Sequence, residues 1–281
     1  MKNDFMSQLF RYVNESSISI VESADNFTSF LSFLGRHESN LTIANKILVY
    51  GYDKDATEVR TADEWINSGY EISRNAAVIH TMEYSPSSGR GYSDRIMYDI
   101  RFTGKRNTVS EDRNILTTAE SGTVSEALIR AVPCRIEYTD QARAGGTKCF
   151  FNPESHSIFV TKGFKGFDDI NQQLLREYSH YMMDKADRAD YVKAHKDLRG
   201  YTYQRAVHGM EAVASSYIIL KRYNRQPPDI QNVSVRRDTD PAAIRQSLNR
   251  IDIASRNVIR MLEDRNLDKE KGVENFSESS K

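Results

Sequence analysis

The spacing of apolar residues predicts several helices at the start of the chain. Residues 1–26 mix helical spacing with turn-forming residues, whereas residues 27–35 place four large apolar side chains on one helical face and stop at a glycine. Residues 41–49 repeat the same spacing. Further on, Thr61 precedes Glu64 by three positions, which predicts a capping box at the start of a short helix.

Two runs of alternating apolar and polar residues predict a pair of strands after these helices. The runs are AAVIHTMEY and RIMYDIRF, and the turn-rich segment SPSSGRGYSD joins them. We expect residues 1–106 to form a small α+β module. The residues that follow are mostly polar, so residues 107–120 are expected to be a linker.

The second half of the chain predicts a larger domain over residues 121–266. Three short apolar segments, separated by Gly-Gly and Asn-Pro pairs, indicate strands, and longer amphipathic segments indicate helices. We expect Val207 and Met210 to lie on the buried face of one helix. The elements are a helix at 121–132, strands near 134–138, 148–152 and 157–161, helices at 168–187 and 204–223, and a last helix from Asp240-Pro241. Residues 267–281 have little apolar content and are expected to be a disordered tail.

Composition narrows the classes of protein that fit this pattern. The 281 residues include 39 Lys or Arg and 39 Asp or Glu, so no global field attracts nucleic acid or anionic lipid. Two cysteines exclude a disulfide scaffold and fit a reducing compartment. The N-terminus lacks the apolar stretch of a secretory signal, and no apolar run approaches the roughly 18 residues of a membrane helix. A cytoplasmic protein with no membrane contact is therefore expected.

One segment, LLREYSHYMMD, carries candidate chemistry. Zinc peptidases with an HExxH helix bind the metal through two histidines four positions apart, and the glutamate between them activates the bound water. Here Glu177 stands in the general-base position and His180 in the second-ligand position. Arg176 stands where the first ligand belongs. A guanidinium has no lone pair to donate and repels a divalent ion, so this substitution opposes metal binding.

Four segments resemble, in their order along the chain, one family of mobile-element proteins. They are NKILVYGYDKDATEVRTADEWINSGYEI, RIMYDIRFT, LLREYSHYMM and GMEAVASSYIILKRYN. The arrangement is similar to that of the ArdC-like antirestriction family and its LtrC-like relatives from conjugative elements, and it covers nearly the whole chain. The resemblance implies an N-terminal module that binds single-stranded DNA, followed by a zincin-like metallopeptidase-fold domain with a C-terminal helix. The expected fold class is therefore α+β.

The resemblance also implies a metal site, from which this chain departs at two positions. The family's ligands are the two histidines of HExxH and a glutamate on the next helix. Arg176 replaces the first ligand, and alignment of the next helix puts Gly209 at the third. Glu211, two residues further, points about 200° away round that helix. We therefore expect a catalytically inactive protein without a cofactor, in which Arg176 pairs with Glu177 and His180 is neutral.

Two alternatives remain open. A shifted register lets His180, Glu211 and His208 hold a zinc ion, and the protein is then an active metallopeptidase with a non-standard ligand set. In the second alternative, both the metal site and the DNA surface are lost, and the protein is an interaction scaffold for another protein. Metal analysis of the purified protein tests the first alternative, and an oligonucleotide titration tests the second.

Local charge indicates where nucleic acid can bind. Residues 1–71 carry six Lys or Arg against eleven Asp or Glu, which disfavours phosphate contacts, whereas residues 86–106 carry five against two. The candidate DNA contacts are six basic residues and two tyrosines, Arg74, Arg90, Arg95, Arg101, Lys105, Arg106, Tyr50 and Tyr92. The tyrosines are candidates for stacking unpaired bases. The alternative to DNA binding is that the basic hairpin is solvated and binds no ligand. Trp65 is expected in the core.

Overall fold

The computed structural model of the chain divides into two units. Unit 1 comprises Met1–Asp112 with Ile230–Asn249, and unit 2 comprises Arg113–Asp229 with Arg250–Lys281. The residues that the structure describes are 2–86, 91–105, 121–131, 134–140, 147–230 and 240–278. The side chains of residues 2–4, 105, 121 and 264–278 lie outside this description.

The described part of unit 1 begins with helices and continues with short strands. The helices are α1 (Lys2–Glu22), α2 (Ala24–Arg36), α3 (Ile43–Tyr52) and α4 (Ala62–Asn67). The strands are β1 (Val59–Arg60), β2 (Tyr70–Ile72), β3 (Ile79–Tyr84), β4 (Tyr92–Asp99) and β5 (Thr103–Lys105). Strands β3 and β4 are the two that the alternating pattern predicts; β1, β2 and β5 are too short to show a pattern of their own.

Helix α4 begins and ends as its sequence predicts. The Thr61 hydroxyl accepts a hydrogen bond from the Glu64 backbone N–H at 3.3 Å, and the Glu64 carboxylate accepts one from the Thr61 N–H at 2.8 Å. Gly69 follows the helix with a φ of 81°, a conformation that favours glycine. Trp65 is fully buried, as expected, and its indole N–H donates to the Tyr98 carbonyl at 2.8 Å.

The β3–β4 hairpin forms two strands of a three-stranded sheet in the order β1-β4-β3, with β4 in the centre. The pairing of β3 with β4 is antiparallel and puts Tyr84 opposite Tyr92. The outer edge of β3 is covered by Asn45 of α3, whose buried amide exchanges two hydrogen bonds of 2.8 Å with the backbone of Met82. The amide thus stands in for a neighbouring strand and satisfies backbone groups that burial would otherwise leave unpaired.

Unit 2 packs helices against a second three-stranded sheet. Strands β6 (Arg135–Tyr138), β7 (Cys149–Asn152) and β8 (Ser157–Val160) lie in the order β6-β8-β7. Strand β8 is parallel to β6 and antiparallel to β7. The helices are α5 (Ser121–Ala131), α6 (Phe167–His195), α7 (Arg205–Arg222) and most of α8 (Pro241–Glu278). Helices and sheet share one core, which includes Leu128, Phe151, Ile158, Leu174, Tyr178, Ile219 and Val258. The predicted α+β class is confirmed.

Three helices extend beyond their predicted ends. Residues 2–22 form one helix rather than helical turns, because Met6, Val13 and Ile20 are buried two turns apart along it. Helix α6 continues to His195 and helix α8 to Glu278, through most of the expected tail. Neither extension has an apolar stripe, but both contain Ala, Leu, Lys, Glu or Arg, whose intrinsic helix propensity is high.

Two further expectations differ from the structure. Val207 is 41% exposed and Met210 is half-buried, because helix α7 turns His208 and Glu211 inward at its start instead. Residues 230–249, which were expected in the second domain, are grouped with unit 1, where Arg245 donates a hydrogen bond to Asn14 of α1. Within the described residues, every helix is too short or too polar to span a bilayer.

Candidate functional site

The REYSH segment lies in the middle of helix α6, which contacts strand β7 and helices α5 and α7. Glu177 is fully buried, and four hydrogen bonds reach its carboxylate. Oε1 accepts from Arg176 Nε at 3.0 Å and from Arg205 Nη2 at 2.8 Å. Oε2 accepts from Arg205 Nη2 at 2.7 Å and from the Phe151 N–H of β7 at 2.8 Å. The expected pair between Arg176 and Glu177 is therefore present, and Arg205 joins it.

These contacts determine what the Glu177 carboxylate can do. A general base must reach a water molecule at hydrogen-bond distance and take its proton. Both oxygens of Glu177 are already bound by donors, and two of the three donor groups are permanently charged guanidinium groups. Each oxygen therefore accepts two hydrogen bonds from described residues, and the arrangement holds a buried charge in place.

His180 lies one helical turn after Arg176 and is almost fully buried. Its Nδ1 is 2.8 Å from the hydroxyl of Tyr203. Burial lowers the pKa of His180 to about 2, and the positive charges of Arg205 and Arg176 add to the effect. The imidazole is therefore neutral at physiological pH, as expected, in surroundings that disfavour a further positive charge.

A second cluster surrounds His208 at the start of α7. Its Nδ1 lies 2.6 Å from the Glu211 carboxylate and its Nε2 lies 2.9 Å from Asp187 of α6. Arg250 of α8 donates to both oxygens of Glu211, at 2.6 and 3.0 Å. The hydrogen bonds to Asp187 and Glu211 raise the pKa of His208 to about 9. Tyr203 stacks on the His208 ring at 5.3 Å and so connects this cluster to His180.

Neither ligand set that the sequence suggests fits a divalent metal ion. Arg176 holds the first-ligand position of one set. In the other set, His208 is protonated and Glu211 is bound through both oxygens. No three His, Cys, Asp or Glu side chains within the described residues converge as an ion would require. At Gly209, the described structure leaves open space where a side chain would begin.

The raised pKa of His208 predicts a pH-dependent contribution to stability. Folding raises this pKa above its ordinary value of 6.5, so the stabilising contribution is fully present below about pH 6.5 and is lost as pH rises through about 9. We expect the difference in unfolding free energy between the unmodified protein and His208→Gln to shrink over this interval. Urea unfolding at several pH values measures it, with the exposed His195→Gln as the control. A difference that is constant from pH 6 to about pH 9.5 would contradict the assignment.

The arginines predicted to contact DNA differ in how they are bound. Arg95 pairs with Glu64 at 2.9 Å, and Arg101 pairs with Asp53 and the buried Asp99. Their charges are therefore balanced within unit 1. Arg74 is exposed and forms no ion pair with other described residues. The ion pairs of three candidates are not described, because Arg90, Arg106 and the side chain of Lys105 lie outside the described part of the chain.

The two candidate tyrosines lie in different surroundings. Tyr50 is half-buried, its ring packs on Phe30 at 5.1 Å, and its hydroxyl donates to Ser29. Tyr92 is 40% exposed at the end of the β3–β4 hairpin, where its ring meets that of Tyr84, which is 68% exposed. The hairpin thus presents two adjacent aromatic rings to solvent, whereas Tyr50 is largely part of the packing between helices.

Solved structures resemble the chain over most of its length. The Mn(II)-bound crystal structure of the antirestriction protein ArdC from plasmid R388 superimposes with a TM-score of 0.55 at 11% identity, covering 90% of this chain and 97% of that one. The metal-free ArdC structure superimposes with a TM-score of 0.54 at 13% identity, covering 90% and 98%. This chain has the ArdC fold. The resemblance inferred from the motifs is confirmed at the level of the fold, whereas no protein-family model and no curated protein sequence matches.

The sequence did not predict two arginines that complete the ion pairs of Glu177 and Glu211. Arg205 is 28 positions from Glu177, and Arg250 is 39 positions from Glu211. No motif spacing connects either pair, because each arginine comes from a different helix. One signal was available: a buried carboxylate needs a compensating charge, and Arg176 alone supplies one hydrogen bond.

Proposed function

We propose that the protein is an accessory protein of a mobile genetic element that acts without metal-dependent hydrolysis and binds single-stranded DNA through unit 1. The ArdC fold supports the first part, since the ArdC structures that resemble this chain are described as those of an antirestriction protein. One of them contains Mn(II). In this chain, Arg176 stands at a position that the motif assigns to a metal ligand, and Arg205 adds a second cation beside Glu177.

The observation that carries the proposal is the occupied carboxylate of Glu177. Its fully buried oxygens are bound by Arg176, Arg205 and the Phe151 N–H. Buried charges must be paired, and here the pairing uses the same atoms that hydrolysis needs. The packing of the metallopeptidase-like domain is thereby preserved without an ion.

The β3–β4 hairpin supports the DNA part of the proposal. Bases of single-stranded DNA stack on exposed aromatic rings, and cations nearby bind the phosphates. Tyr84 and Tyr92 are exposed beside each other, with ring centroids 5.7 Å apart. Arg74, whose guanidinium has no described ion-pair partner, supplies positive charge on the same unit, and the sequence adds Arg90, Lys105 and Arg106.

A fluorescence-polarisation titration of the full chain with a labelled oligothymidine of about 20 nucleotides tests this proposal. We expect binding that weakens steeply as salt rises and that a metal chelator leaves unchanged. Tyr92→Ala should weaken binding by about fivefold or more, because one stacked base is lost. Arg74→Ala should reduce the slope of affinity against salt by about one unit. Tyr138→Ala, which removes an exposed tyrosine from unit 2, is the matched control.

Two results would contradict the proposed function. An absence of binding at low salt removes the DNA part and favours the interaction scaffold, because phosphate contacts are strongest there. Stoichiometric zinc or manganese in protein purified without added metal removes the proposed loss of metal dependence, because the described donors could then hold an ion.

A further inference from the structure

Arg205 has a donor that no described residue satisfies. Its Nη2 binds both oxygens of Glu177, but its Nη1 is buried and meets no acceptor in the described part of the chain. The guanidinium lies over the ring of Phe150 at 4.5 Å, which holds the group in orientation without accepting a conventional hydrogen bond. A buried charged donor without a partner is costly, so its presence suggests that something outside the chain accepts from it.

Arg176 supplies further donors at the same place. Within the described residues, its one hydrogen bond runs from Nε to Glu177 Oε1, and its side chain is about 30% exposed. Arg205 donates to that same oxygen, so the two donor nitrogens lie within about 6 Å of each other. Among the described residues, two guanidinium groups therefore share one carboxylate, which leaves one positive charge in excess.

We propose that Arg176 and Arg205 bind a small oxyanion, a carboxylate or a phosphate group, at the place that the zincin resemblance assigns to a metal. A guanidinium offers paired N–H groups that match the two oxygens of such a ligand, and an ion pair of this kind is strengthened by partial burial. Such a site prefers an anion to a metal ion, because Arg176 stands at one ligand position and Arg205 adds a second cation beside it. This inference goes beyond the proposed function and concerns unit 2.

Calorimetric titration of the full chain tests the anion site. Inorganic phosphate and acetate are titrated separately at a constant ionic strength set with sodium chloride. We expect saturable binding of at least one of them, and the tighter of the two identifies the phosphate or the carboxylate as the preferred group. Arg176→Gln should weaken binding by about tenfold or more, because a charged donor pair is lost while Arg205 still satisfies Glu177. Arg199→Gln, an exposed arginine paired with Asp197, should bind as the unmodified protein does.

A second variant keeps the test decisive if Arg176→Gln folds poorly by circular dichroism. Arg176→Lys retains the charge but loses the planar pair of donors, so we expect it to bind several-fold more weakly than the unmodified protein. The proposal is overturned if neither anion gives saturable heat. It is equally overturned if folded variants at position 176 bind as tightly as Arg199→Gln, since the binding would then be non-specific.

Discussion

Arg205→Ala is expected to destabilise unit 2 by about 3 kcal/mol, the lower end of the range for removing one partner of a buried ion pair. The variant leaves the fully buried Glu177 with one hydrogen bond from Arg176 and one from the Phe151 N–H. The lower end applies because Arg205 is itself partly exposed and Arg176 remains. The loss also removes the packing of the guanidinium on the Phe150 ring.

Hydrogen exchange measures this effect within unit 2. The Phe151 N–H donates directly to Glu177, so its exchange should accelerate by roughly 100-fold under conditions where it exchanges through unfolding of the unit. Arg199→Ala is the matched control, because its exposed pair with Asp197 should contribute less than about 1 kcal/mol. If Arg205→Ala changes stability no more than Arg199→Ala does, then Glu177 does not depend on Arg205 for its charge compensation.

Arg176→His combined with Gly209→Glu is expected to create a zinc site with micromolar or tighter affinity, where the unmodified protein binds none. The first substitution supplies an imidazole four positions before His180 and removes a cation from that helix face. The second supplies a carboxylate on α7, and apart from the adjoining residues and the backbone of its own helix, no described atom lies within 4 Å of a Cβ added at Gly209. Calorimetry with Zn²⁺ measures the gain, which should be at least about 1,000-fold.

The same double variant carrying His180→Ala is the control for this gain and should lose most of the affinity. A folded double variant that fails to bind zinc would contradict the alignment that puts Gly209 in the third-ligand position. We expect the zinc-bound variant to remain a poor hydrolase, because Arg205 still donates to both oxygens of Glu177. The double variant is therefore expected to regain metal binding without regaining general-base catalysis.

Several elements of each unit were predictable because their signals are local. The capping box at Thr61, the hairpin strands β3 and β4, and helix α6 each follow from residues within a few positions of one another. The pair of Arg176 with Glu177 was predictable for the same reason, because a buried carboxylate takes the nearest cation. The full lengths of α6 and α8 were not predictable, since their C-terminal ends lack a regular apolar stripe.

The sequence alone did not show which basic residues of unit 1 are bound in ion pairs. A count of charge over residues 86–106 treats Arg95 and Arg101 as equivalent to Arg74. In the structure, the first two are bound to carboxylates of α4, of β4 and of the residue after α3, whereas Arg74 is exposed. Charge counts along a chain contain no information on ion pairs between elements that are distant in sequence.

By itself, the sequence determined the α+β class, most of the helices and strands, and the absence of a lone pair at position 176, where the resemblance implies a metal ligand. Only the tertiary structure decided that Arg205 would reach Glu177 and that Arg250 would bind both oxygens of Glu211. Helix starts, caps and apolar spacing depend on neighbours in the chain. The charge compensation of a buried carboxylate depends on which helices pack against it, and that becomes known only when they are packed.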